Sequence, residues 1–125
     1  MSLLPRDEFL ASITRLAGSV YDFHDRFRQY PLSPVLTPEE SLGVLRERLP
    51  FLVEEIGEFA QDLNKGHLEN ASQEIADVAF VAVGMLLALN GTGAEACHAV
   101  AHKNDGKTHQ THMIDASSGK LVRRS

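Results

Sequence analysis

The spacing of apolar residues along the chain predicts helices almost throughout. In the first segment, over about residues 5–28, apolar side chains recur at three- and four-residue steps, which is the period of one helix face. They are Phe9, Ile13, Leu16, Val20, Phe23 and Phe27. No run of β-branched residues alternates with polar ones as a half-buried strand would. The pattern therefore predicts an all-α fold.

Proline and capping residues divide the first half of this helical pattern. Residues 31–34 contain two prolines and predict a loop after the first helix. Thr37, Pro38 and Glu40 have the form of a helix start, with a threonine cap, a proline in the first turn and a glutamate that completes the capping box. Pro50 lies inside the second segment, so we expect that helix to kink or to restart there.

The second half of the chain contains similar boundary signals. Gly66 ends the second helix, and Asn70 or Ser72 can cap the third after a connection of about six residues. Thr92 and Glu95 form a second capping box, which opens the fourth helix. These lengths and short connections predict a four-helix antiparallel bundle.

We expect one domain over residues 1–106, followed by a polar tail over residues 107–125. The tail is either a loop with a short extended piece at residues 120–123 or a mobile segment. Residues 75–89 form an apolar run that one small bundle cannot cover on all sides, so a homo-oligomer, either a dimer or a tetramer, is expected.

Five carboxylates within 24 residues carry most of the candidate chemistry. Glu54, Glu55 and Glu58 form an E-E-x-x-E pattern, and Glu74 and Asp77 form E-x-x-D on the next predicted helix. Positions three and four apart share one face of a helix, so each motif brings acids together at some cost in repulsion. A short connection makes the two helices antiparallel neighbours, and their acids can then meet at one level.

A cluster of oxygen ligands favours a hard cation, with Mg²⁺ preferred and Mn²⁺ possible. Asp77 is the single charged residue in the apolar run, so we expect it to be buried beside a partner. The ferritin-like di-iron arrangement requires a histidine where this chain has Asp77. The alternative for each motif alone is an acidic, solvated helix face.

Composition excludes several other functional classes. The chain has 43% hydrophobic and 23% charged residues, as ordinary globular proteins do. A net charge of −5 argues against a nucleic-acid partner. The single Cys97 excludes a disulfide framework, and we expect it to be a small core residue in a reducing compartment. No secretory signal is visible and the apolar run is short for a membrane span, so a cytoplasmic protein with no membrane partner is expected.

The order of these motifs resembles the all-α nucleoside triphosphate pyrophosphohydrolases, the MazG-like and dimeric dUTPase-like superfamily. The carboxylate pattern carries the resemblance. It is flanked by residues 20–27, similar to the first-helix segment of MazG-like members, and by residues 100–107, similar to their closing K-N-x-x-K/R segment. The resemblance implies Mg²⁺-dependent hydrolysis of a nucleoside triphosphate to its monophosphate and pyrophosphate.

The resemblance also implies roles for individual acids. It assigns metal binding to Glu55, Glu58, Glu74 and Asp77. Glu54 matches an additional acid that either holds a second metal or orients the attacking water. Glu54 and Glu58 are therefore the expected catalytic residues.

On the substrate side, the resemblance points to Lys103, Asn104 and Lys107, with Lys107 matching a phosphate-contacting base. His24 is the expected polar contact in a base pocket. Two alternatives stay open: the related phosphoribosyl-ATP pyrophosphohydrolase activity, and a non-catalytic helical module that binds nucleotide or a partner.

Overall fold

A computed structural model describes residues 3–27 and 36–125 of the chain. Within these residues there are four helices and one two-stranded sheet. The elements are α1 (Arg6–Phe27), α2 (Pro38–Lys65), α3 (Leu68–Ala88), α4 (Gly91–Asp105), β1 (His112–Ile114) and β2 (Leu121–Arg123). The all-α class is thus confirmed. The loop predicted at residues 31–34 lies outside the described residues.

The second helix is continuous over 28 residues. Its start is the predicted capping box, in which the Thr37 side chain accepts from the Glu40 amide and the Glu40 carboxylate accepts from the Thr37 amide. The expectation of a restart at Pro50 is wrong. Proline removes one hydrogen bond to the residue four positions earlier, Arg46. The remaining bonds of this long helix, and its packing, keep it in one piece.

The connection between α2 and α3 is shorter than the six residues that the sequence suggested. Gly66 and His67 make the whole turn. Gly66 has a φ of 73°, a left-handed conformation that glycine adopts without steric cost, and its N–H donates to the Asp62 and Leu63 carbonyls. The helix α3 therefore begins at Leu68, before the predicted caps Asn70 and Ser72. Such a tight turn makes α2 and α3 antiparallel neighbours.

The third helix packs against both α2 and α1. Within residues 3–27 and 36–125, the buried apolar side chains are Val20, Ala71 and Ala88. Half of the apolar face predicted on α1 is open: Phe9, Ile13 and Phe27 are each about half exposed.

The expectation that Asp77 is buried is wrong. Its side chain is exposed, and its neighbours on α3 are only partly covered. By length and composition alone, α3 could cross a membrane. The core helix of a soluble protein passes the same test. Moreover, α3 contains Glu74 and Asp77, whose charges are costly in hydrocarbon.

The chain divides into two compact units, Met1–Gly93 and Ala94–Ser125. The second unit contains most of α4 and a hairpin in which Met113 pairs with Val122. The extended piece expected at residues 120–123 is strand β2, and β1 was not predicted.

Cys97 is exposed, so its expected place in the core is wrong. The domain boundary at residue 106 stays a prediction.

Candidate metal centre

Three carboxylates from two helices converge on one point. Glu55 and Glu58 from α2 and Glu74 from α3 each offer an oxygen, and these oxygens all lie within 4.8 Å of one another. Within the described residues, this is the one group of three or more acidic, histidine or cysteine side chains so arranged. The distance is short enough for one cation to contact all three.

The turn at Gly66 explains why these acids lie at the same level. Glu58 and Glu74 are each eight residues from Gly66, and at 1.5 Å of rise per residue each lies about 12 Å from the turn. Glu55 and Asp77 are each eleven residues from it. The two motifs are therefore matched across an antiparallel helix pair, with a step of three residues between the two levels.

The electrostatic cost of this arrangement appears in the pKa values of the acids. The pKa of Glu74 is raised to about 7, first because its carboxyl is desolvated and next because Glu58 lies close by. The pKa of Glu55 is also raised, by desolvation first and then by the charges of Glu58 and Asp77. At neutral pH the cluster thus holds either a proton or an incompletely compensated negative charge.

Two oxygens in the cluster have no hydrogen-bond partner. They are Oε2 of Glu55 and Oε2 of Glu74, both shielded from solvent. Ionised carboxylates accept hydrogen bonds and cannot donate them. Two that face each other therefore have no attractive contact unless a proton or a cation lies between them. A hard divalent cation would satisfy both oxygens and reverse the cost of desolvation. The residues therefore fit such a cation.

The other two predicted acids lie near the cluster but outside it. Asp77 is close enough for its charge to raise the pKa of Glu55, and Glu54 has a smaller effect of the same sign. Both side chains are exposed. The structure thus brings Glu55, Glu58 and Glu74 together, with Asp77 and Glu54 at the margin.

A cleft of about 280 Å³ opens next to the carboxylates. Glu55 belongs to both, since it also lines the cleft. The other lining residues, mostly aromatic, are Phe23, His24, Arg48, Phe51, Phe80 and Val81. The cleft therefore combines aromatic walls with the carboxylate of Glu55.

His24, the predicted base contact, is in the wall of this cleft and is 7% exposed. Its Nδ1 lies 2.6 Å from the carbonyl oxygen of Val20. Because a carbonyl can only accept, Nδ1 is the donor. The His24 ring stacks on Phe80 with a centroid distance of 6.1 Å, and Phe23 meets Phe80 edge to face at 5.5 Å. These contacts fix the ring in place.

The remaining predicted substrate residues lie in the second unit. Lys103 and Asn104 are in the last turn of α4, and Lys107 follows the helix. The Lys107 ammonium donates to the Asn104 side-chain oxygen at 3.0 Å, and the Asn104 amide donates to the Val100 carbonyl at 2.9 Å. These contacts order Asn104 and Lys107. The role of all three in substrate binding stays a prediction.

The sequence reasoning did not identify Arg48, Phe51 and Phe80 as cleft residues. A signal was present, because positions 48, 51 and 55 are spaced to share one face of a helix. The expected restart at Pro50 concealed it, since it assigned Arg48 and Glu55 to different helical segments.

The sequence model of the phosphoribosyl-ATP pyrophosphohydrolase family matches residues 20–104. The chain belongs to this family. The match covers the last eight residues of α1, all of α2 and α3 and most of α4, including all five acids. No curated protein and no solved structure matches the chain.

The family is part of the all-α MazG-like superfamily, so the resemblance seen in the carboxylate motifs is confirmed. The prediction of an enzyme is confirmed as well: the chain is a pyrophosphohydrolase, a hydrolase that acts on acid anhydrides. Metal dependence is general in the family.

Proposed function

We propose that this enzyme is a Mg²⁺-dependent nucleoside triphosphate pyrophosphohydrolase. It converts an NTP or dNTP to the monophosphate and pyrophosphate, and so removes unwanted nucleotides from the cellular pool. The proposal rests chiefly on one observation: Glu55 belongs both to the carboxylate cluster and to a cleft with aromatic walls. A nucleotide has the matching chemistry, with a flat base at one end and phosphates that bind through a cation at the other.

In this proposal Glu55, Glu58 and Glu74 hold the cation, and Asp77 completes the ligand set. When bound, Mg²⁺ supplies positive charge that neutralises the phosphate oxygens of the substrate; Mn²⁺ can replace it. Glu58 is essential because it lies close enough to both other acids for its charge to raise the pKa of Glu55 and of Glu74. Glu54, exposed beside it, orients the attacking water.

The size of the cleft favours a simple nucleotide. Small-molecule sites usually enclose roughly 300–1,000 Å³, and the cleft is about 280 Å³. This suits one base better than an adenine that carries a second ribose phosphate. Phosphoribosyl-ATP is nevertheless the second candidate, because the matching family is named for that substrate. Both substrates are cleaved between the α- and β-phosphates, and Lys103, Asn104 and Lys107 are proposed substrate contacts in either case.

The deciding experiment is pyrophosphate release from a panel of NTPs, dNTPs and phosphoribosyl-ATP with Mg²⁺. The variant Glu58→Gln should lose at least about 100-fold in turnover, whereas Glu47→Gln, an exposed acid on the same helix, should behave as the unmodified enzyme. Normal turnover by Glu58→Gln would refute the assignment of the site. Tight nucleotide binding without pyrophosphate release from any substrate would favour the non-catalytic module.

We also propose that the enzyme is a cytoplasmic homodimer or homotetramer with no nucleic-acid or membrane partner. Apolar side chains are left open on two helices: Phe9 and Ile13 on α1 are about half exposed, and so is Ile75 on α3. A second copy of the chain would cover such surfaces. The negative net charge disfavours nucleic acid.

A further inference from the structure

Among the described residues that line the aromatic cleft, Arg48 is the one permanently charged cation. With Phe51 and Glu55 it follows one face of α2. Arg48 and Glu55 are seven positions apart, which corresponds to about 10 Å along the helix axis. The cleft therefore has a carboxylate at one end and a guanidinium at the other, with aromatic rings between them.

The Arg48 side chain lies against one of the aromatic rings of the cleft. Its guanidinium carbon lies 5.9 Å from the centroid of the Phe51 ring, within the range of a cation–π contact. Arg48 is partly buried, whereas Arg46, two residues earlier, is exposed. A planar guanidinium presents five N–H donors in a fixed fork and has no acceptor.

The direction of a bound nucleotide follows from the proposed function, on which this inference rests. If the scissile phosphates lie at Glu55, the base lies among the aromatic rings. Arg48 lies about 10 Å along the helix from Glu55, and so away from the phosphates. The group that meets Arg48 is then the outer edge of the base or whatever is attached to it.

We propose that Arg48 is a specificity-determining residue that selects substrates with an oxygen acceptor at the base end. A base carbonyl, as in guanine or uracil, supplies such an acceptor. The phosphate on the additional ribose of phosphoribosyl-ATP supplies one too. The adenine of ATP has no carbonyl. Its amino group would place N–H donors against the N–H donors of Arg48, an arrangement that a partly desolvated site disfavours.

The test compares Arg48→Met with the matched control Arg46→Met on GTP, UTP, ATP and phosphoribosyl-ATP. For Arg48→Met we expect kcat/KM to fall about 10- to 100-fold on substrates with the acceptor, and less than about threefold on ATP. Arg46→Met should change none of them. A loss confined to GTP and UTP identifies the base carbonyl as the recognised group, and a loss confined to phosphoribosyl-ATP identifies the phosphate.

Binding measurements separate failure of this inference from failure of the proposed function. The Kd values of α,β-methylene analogues of GTP, UTP and ATP, and of phosphoribosyl-ATP with Glu58→Gln, are measured with and without Arg48→Met. If no substrate is hydrolysed, the proposed function fails, but a selective loss of binding still supports the role of Arg48. An equal loss on every ligand, ATP included, or no loss on any, would overturn it. The conservative Arg48→Lys should restore part of the selective effect, because it keeps the charge but lacks the fork.

Discussion

The raised pKa of Glu74 makes a quantitative prediction about metal binding. With a pKa of about 7, Glu74 is about one-tenth ionised at pH 6 and about nine-tenths ionised at pH 8. Because a carboxylate must be deprotonated to bind a cation, the affinity for Mn²⁺ or Mg²⁺ should rise about tenfold over this interval. A carboxyl with the ordinary value of 4.5 would give almost no change.

Titration calorimetry with Mn²⁺ at pH 6, 7 and 8 measures this slope directly. In Glu74→Gln the cation should bind more weakly at every pH and the tenfold slope should disappear. Glu69→Gln removes an exposed acid from the same helix and should retain both the affinity and the slope. An unchanged Mn²⁺ affinity between pH 6 and 8 in the unmodified protein would refute the reasoning, since the cation would then not compete with a proton at Glu74.

The stability of the metal-free protein should change in the opposite direction. A carboxyl whose pKa is raised by folding favours the folded state below about 4.5, and this advantage is lost as the pH rises through 7. Glu74→Gln cannot ionise. Its melting temperature should therefore equal that of the unmodified protein near pH 4.5 and exceed it at pH 8 in the presence of a chelator. A variant less stable than the unmodified protein at pH 8 would contradict this sign.

Two further predictions concern the scaffold. A Cβ added at Gly93 would overlap the backbone carbonyl of Leu86, so Gly93→Ala should lower the free energy of unfolding by about 1–3 kcal/mol in urea titrations. The control is Gly18→Ala, which has open space around the added Cβ and should raise the free energy of unfolding by up to about 1 kcal/mol. Equal effects of the two substitutions would refute this account of Gly93. Sedimentation equilibrium should give a mass of two or four chains, and Ile13→Glu should reduce it, whereas a monomer at all concentrations would refute the homo-oligomer.

The helices could be predicted because their signals are local. The capping box at Thr37 and the glycine at position 66 act within a few residues of themselves, and both are found where the sequence indicated. The failures have physical causes. Pro50 removes one hydrogen bond from a helix that has many, so a single breaker did not divide it. Asp77 was expected to be buried because its neighbours are apolar, but burial depends on what packs against α3, which the sequence of one helix does not contain.

The carboxylate cluster and the cleft differ in how much of the fold they require. The cluster needs only two helices and the turn between them, because equal distances from Gly66 bring Glu58 opposite Glu74 and Glu55 opposite Asp77. The spacing of acids along the chain is therefore enough to suggest it. The cleft also requires α1, which contributes Phe23 and His24, and the side of α2 that carries Arg48. How those surfaces meet depends on packing between helices distant in sequence. It follows that the chemistry of such a chain is readable from its motifs, whereas the choice of substrate is set by contacts that only the folded structure brings together.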